Sequence, residues 1–308
     1  MIYDKPATTI DDQITLLRSR GMHVPDRDRA AHYLRHIGYY RLSAYWLPFE
    51  EPSAPDCPRT HRFRQGTTFE DVLNRYVFYR KLRLLVTEAL ERIEVSVRSC
   101  WSSALACRHG PHAHMNARLF ACPFWHLRQL SQLARETRKS SETFVEHYRQ
   151  KYSEPFLPPI WMVAETMSFG TLSRWVEKTS DATVQLEIID HLDFPNREIL
   201  HKTLHVLTYL RNICAHHGRL WNRRFIMKYP RIKRLPALVD PAAGHEAARY
   251  IFNHLFILKV LMVRINPRAS WPDRLCELLG QQNVATLQAM MLPNDWRNPL
   301  SRPSEEGT

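Results

Sequence analysis

The sequence predicts an all-α fold: a four-helix bundle with N- and C-terminal helical extensions. Two observations predict it. Only nine glycines occur in 308 residues, too few for the turn-rich connections of a β protein. Apolar residues also recur every three or four positions over long stretches, where a strand would alternate them. With 44% hydrophobic residues the chain can fill a large core, so disorder is not expected.

Taken in order, the N-terminal region (1–66) holds helices from about Asp11 to Arg20 and from about Asp26 to Ile37. An aromatic run, Tyr39 to Trp46, and a loop over 51–66 follow. The bundle (67–230) opens on the clearest helix, from Thr68 to about Arg108, where Gly110-Pro111 stops it. Thr68 and Asp71 have capping-box spacing. Val72, Tyr76, Tyr79, Leu82, Val86, Leu90, Ile93, Val97, Cys100 and Ala104 form its stripe. Ser141 starts a helix through Tyr152, Pro155, Pro158 and Pro159 break it, and another runs from Ile160 to about Lys178. The last bundle helix runs from Pro195-Asn196 to His217, with Gly218 as its C-cap. Residues 231–308 supply a basic linker, helices near 243–265, 272–279 and 283–291, and a polar tail expected to be disordered.

Lys plus Arg exceed Asp plus Glu by 43 to 31, a net charge of +12. A polyanionic partner follows, nucleic acid first and an anionic membrane second. No secretory leader is read at the start. The apolar segment Tyr250–Ile265 carries Asn253, His254 and Lys259 and falls short of the roughly 20 residues of a bilayer span, so it is expected in the core. Six cysteines without a CxxC pair fit the reducing cytoplasm.

Charge is least evenly spread over 199–239, where nine Lys or Arg and four His meet no Asp or Glu. Such a stretch reads as a phosphate-binding surface, with Arg211, Arg219, Arg223, Arg224 and Lys228 as candidates. On a helical wheel at about 100° per residue, Val206, Leu207, Leu210, Ile213 and Cys214 share one arc. Arg211 and His216 bracket the opposite face, with Asn212 and Ala215 between them. Cleaving RNA without a metal needs a base for the ribose 2′-OH, a charge to stabilise the phosphorane and an acid for the leaving 5′ oxygen. Histidine suits the proton transfers near neutrality, and a guanidinium fork suits phosphate oxygens. One helix supplies one of each, so a homodimer would complete the set.

Arg-x4-His on the last helix of a bundle resembles the HEPN ribonuclease motif, which makes the expected fold a HEPN-type four-helix bundle. The run Arg211-Asn212-Ile213-Cys214-Ala215-His216-His217-Gly218-Arg219-Leu220-Trp221-Asn222-Arg223 closely resembles the signature of Abi-type (abortive infection) proteins of the AbiD/AbiF group. Further blocks agree: Lys5-Pro6 with Asp12-Gln13-Ile14, Gly38 to Ser43, Phe69 to Arg98, and Trp161 to Ser173 with Glu165 and Ser168-Phe169-Gly170. The resemblance spans roughly residues 3 to 228. It implies a homodimeric, metal-independent endoribonuclease without cofactor, active in anti-phage defence, with Arg211 and His216 catalytic and Asn212 assisting. His217, Arg219, Asn222, Arg223, Arg224 and Lys228 are assigned to RNA binding. A partner antitoxin or regulatory RNA is admitted, a membrane is not. HEPN toxins silenced by tyrosine modification carry Tyr two residues after the His, where this chain has Gly218. The alternative is a non-catalytic RNA-binding protein using the same basic surface.

Other residues weigh less. Cys107, His109, His112, His114 and Cys122 match no standard zinc module and read as a His-rich loop. Glu94 and Arg98 read as a helix-surface ion pair, with room for a contact near the site. Glu165 reads equally as a semi-buried structural carboxylate or a functional one, and His217 as an RNA contact or a core-edge residue. The Tyr39–Trp46 aromatics could stack bases but are expected in the core.

Overall fold

A computed structural model describes residues 2, 6–53, 57, 59–238 and 246–302. The expected tail beyond 302, Lys5 and parts of the 51–66 and 231–245 segments lie outside the described residues. The described residues are helical, with three isolated β-bridges and no strand. The all-α expectation holds. No helix among them is long and apolar enough to cross a membrane.

The chain divides into two compact units, Met1–Lys81 and Leu82–Thr308. In the first lie α1 (Ile10–Ser19), α2 (Arg27–Ile37), α3 (Tyr39–Trp46) and the start of α4 (Phe69–His109). The aromatic run is therefore a helix. Tyr45 and Trp46 are buried, and Tyr45 packs on Tyr76 and Tyr79 with ring centroids 5.2 and 5.7 Å away, while Tyr40 is exposed. The capping box of α4 is reciprocal: Thr68 N donates to Asp71 Oδ2 (2.8 Å) and Asp71 N donates to Thr68 Oγ1 (3.1 Å).

The second unit takes the rest of α4, then α5 (Pro123–Lys139), α6 (Thr143–Lys151), α7 (Ile160–Glu165), α8 (Phe169–Lys178), α9 (Ala182–Leu192) and α10 (Arg197–Ala215). After it come α11 (Ile251–Ile265), α12 (Trp271–Gly280), α13 (Val284–Ala289) and α14 (Arg297–Leu300). Fully buried Trp101 and Trp175 anchor the interior, and Trp101 Nε1 donates to Thr179 Oγ1 at 3.0 Å. The expected core helix at the late apolar segment is α11, whose residues Ile251 to Leu258 are all buried.

Several boundaries differ from the sequence reading. The single helix expected from Ile160 to Lys178 is two, because Ser168 caps a new start by accepting from Thr171 N (3.2 Å). The cap of α6 is Glu142 rather than Ser141, and it makes no side-chain cap bond. The helix expected from 243 begins at Ile251, preceded by a 3₁₀ turn over Glu246–Arg249. Helices α5, α9 and α14 are additional. The buried face of α5 is His126, Gln129, Leu133 and Thr137, three of them polar.

Candidate active site

Helix α10 carries the Arg-x4-His motif at its C-terminal end. Asn196 caps its start, accepting from Ile199 N at 2.9 Å. The apolar arc Val206, Leu207, Leu210, Ile213 and Cys214 is buried, and α10 packs on α8 and α9. Burial also pushes the Cys214 thiol up to about 11.

The helix ends two residues earlier than expected, at Ala215, with His216 as C-cap. The end is a Schellman turn: Gly218 N donates to Ile213 O (2.7 Å) and His217 N to Cys214 O (3.0 Å). His217, not the glycine, takes the left-handed conformation, with φ 54°. Gly218 is needed for a different reason. A Cβ there would stand 2.8 Å from Ile213 Cγ2 and 2.9 Å from Ile213 O, closer than side chains tolerate. The tight turn holds the imidazole of His216 outside the bundle, exposed and without a hydrogen-bond partner among the described residues. His217 is exposed as well, which removes the core-edge reading.

Arg211 is held from below. Its Nε lies 3.9 Å from Glu94 Oε2, and its Nη1 lies 3.5 Å from Asn212 Oδ1, both long contacts. Glu94 gives its other oxygen to Arg98 Nη2 at 2.7 Å, and the same Nη2 donates to Met167 O at 3.0 Å. Glu165 stands 3.6 Å from Arg98 Nη1. The side chains of Arg98 and Glu94 are only 10% and 14% exposed, so of the pair expected on a helix surface Arg98 is buried and Glu94 half-buried beneath the motif arginine. Glu165, read equally as a semi-buried structural carboxylate or a functional one, is 56% exposed, which goes against the first of these. His216 stands five positions beyond Arg211, about 7.5 Å along the axis at the helical rise. Two basic groups of different proton chemistry thus share one open helix end with the exposed Asn212.

Acid-free sequence does not mean acid-free space. Lys202 pairs with Glu198 (2.6 Å), Arg224 with Glu246 (2.5 Å) and Arg234 with Asp193 (2.8 Å). The Arg219 guanidinium stands 5.9 Å from the centroid of the Trp221 ring. Arg223 is half-buried with Nε enclosed and unpartnered, Asn222 is exposed with φ 43°, and Lys228 is exposed. Trp221, Phe225 and Tyr229 are buried and tie this stretch to the protein. Tyr229 Oη lies 3.1 Å from Nδ1 of His254, which burial holds down at about 3.

The His-rich loop does not converge on one point. His109 pairs with Asp181 (2.6 Å), His112 meets Tyr148 Oη (3.5 Å), Cys107 and Cys122 are exposed, and His114 is enclosed. Burial first, then neighbouring His112 and His126, lower His114 to about 3. No group of three or more potential metal-ligating His, Cys, Asp or Glu side chains occurs among the described residues. A cavity of about 690 Å³ between α4 and α9 contains none of the motif residues and is lined by both Glu91 and Glu187, which disfavour a polyanion.

These features define an all-α protein with a half-buried arginine and an exposed histidine at one buttressed helix end. A family model described as Abi-like protein matches residues 32–222, more than half of the chain, and the protein belongs to that family. Membership points to a role in abortive infection, that is, in defence. No curated protein and no solved structure matches the chain. The sequence read Glu94 and Arg98 first as a helix-surface pair and left room for a contact near the site; the structure puts Glu94 3.9 Å from Arg211.

Proposed function

We propose that this Abi-like protein is a HEPN-type, metal-independent endoribonuclease of a defence system. One observation carries the reading: Arg211 on the last turns of α10 and His216 at its C-cap share one open helix end, the arginine loosely tied to the largely enclosed Glu94–Arg98 pair and the imidazole unengaged. Loose ties leave the guanidinium fork available to phosphate oxygens. In the reaction the 2′ oxygen attacks phosphorus after losing its proton, the P–O5′ bond breaks, and the 5′ oxygen takes up a proton. The products are a 2′,3′-cyclic phosphate and a 5′ hydroxyl. His216 serves one of the proton transfers, Arg211 stabilises the phosphorane charge, and Asn212 orients the phosphate. A second copy of the chain supplies the other imidazole, so the working unit is a homodimer. An antitoxin or a regulatory RNA would act by covering this helix end.

The test is incubation of the purified protein and His216→Ala with total RNA in EDTA. Cleavage by the parent with cyclic phosphate ends, lost in a folded His216→Ala, supports the reading. Equal cleavage by both ends it, and RNA affinity without cleavage under any activating condition favours a binding protein instead.

A further inference from the structure

We propose that the groove adjoining Asn212 is a nucleotide-recognition subsite that seats one unstacked nucleotide of single-stranded RNA beside the cut. The proposal rests on the nuclease reading and deepens it. The groove, about 360 Å³, lies between α5, α8 and α10. That is the small end of the roughly 300–1,000 Å³ of ligand clefts, room for a nucleoside and not for a duplex.

Its direction comes from the helix period. His205, Tyr209 and Asn212 all line it and stand at i, i+4 and i+7, so one face of α10 leads from the groove into the motif. The distance is about 10 Å along the axis. Its chemistry comes from the lining, in which no carboxylate occurs. Arg174 is exposed there with neither an ion-pair nor a hydrogen-bond partner among the described residues. A guanidinium in that state suits a phosphate, or stacking on a base.

Two buried polar groups make this more than a basic surface. Gln129 lines the groove and is 5% exposed, and its side-chain amide, which makes no hydrogen bond among the described residues, is not fully enclosed. The Tyr209 hydroxyl is enclosed and equally unpartnered. Protein interiors rarely leave such a hydroxyl unsatisfied, because it loses its water without replacement, and the Gln129 amide keeps its hydrogen-bonding capacity for whatever enters the groove. An amide presents a donor and an acceptor side by side, the pattern that pairs with a base edge. Sequence-specific RNA recognition takes this form, with unstacked bases bonded along their edges.

The experiment has two arms. Cut sites of the parent, Gln129→Leu and Arg174→Ala are mapped in total RNA through their cyclic phosphate ends, with kcat and KM measured on one RNA. Separately, hexaribonucleotides of each single base and the matching mononucleotides are titrated against His216→Ala with and without Arg174→Ala. The parent is expected to show a base preference at a fixed distance from the cut, which Gln129→Leu flattens. Arg174→Ala, an exposed position that spares folding, is expected to raise KM about ten-fold at little-changed kcat and to weaken hexanucleotide binding equally. Unchanged cut sites and KM in both variants overturn the subsite and leave the nuclease standing. Mononucleotide binding that bears no relation to cut-site choice also overturns it. A parent that never cleaves, yet binds hexanucleotides through Arg174, ends the nuclease reading and keeps the groove as an RNA site. Neither cleavage nor binding overturns both.

Discussion

Residues 211–218 and 219–234 belong to the same acid-free run of sequence, yet the fold sets different partners against them. In the later stretch Arg224 and Arg234 meet Glu246 and Asp193 at 2.5 and 2.8 Å, and Trp221, Phe225 and Tyr229 are packed away. In the earlier one, the carboxylate nearest Arg211 stays 3.9 Å off and His216 stands open. Carboxylates remote in sequence decide which cations are free for a ligand. A count of charges along the chain cannot see them.

The largest expected effect breaks the comparison at its open end. His216→Ala should lower RNA cleavage about 10²–10⁴-fold, the usual contribution of general acid–base catalysis, while circular dichroism and melting stay those of the parent. A second contrast lies between that exposed imidazole and the enclosed ones. His114 and His254 are held down to about 3 by burial, so both are neutral in the folded protein. The unfolded chain protonates them below the ordinary value of 6.5. Their contribution is therefore complete above that value and is lost as pH falls towards 3. Denaturant titrations at pH 7 and pH 5 should differ by on the order of 4 kcal/mol, with the acidic sample less stable. A flat profile would show that these histidines reach solvent.

Removing the support under Arg211 comes next. Glu94→Ala strands the buried Arg98 charge and should cost about 3 kcal/mol in chemical denaturation, with weaker cleavage because Arg211 loses its tether. Gly218→Ala should cost about 1–3 kcal/mol, since the methyl group would collide with Ile213 and open the Schellman turn. The smallest effect tests the paired end. Arg224→Ala should leave melting and cleavage close to the parent, because its exposed pair with Glu246 is screened by water.

Much of this was legible in the chain. The stripe on α4 from Val72 to Ala104 places the longest helix, and the arc from Val206 to Cys214 correctly turns Asn212 outwards. What the sequence concealed has two physical causes. Helix α5 buries the polar His126, Gln129 and Thr137 beside Leu133, so its buried face is not the one an apolar count would choose, and the groove it lines went unseen with it. The Glu94–Arg98 pair has the spacing of an ordinary surface pair, and only the packing of the chain around Met167 shows Arg98 to be buried and Glu94 half-buried. Ser168, by contrast, was visible within a family block, but its role as a cap splitting one expected helix into two depends on the backbone path.

The burial of Cys214 has a practical outcome. Its thiol, at about 11, stays protonated at neutral pH and shielded within the motif helix, whereas Cys57, Cys107 and Cys122 are exposed. Maleimide reagents should therefore decorate the surface and spare α10. Fluorophores or spin labels can be attached to the native chain to follow self-association, with no need to delete the cysteine beside His216.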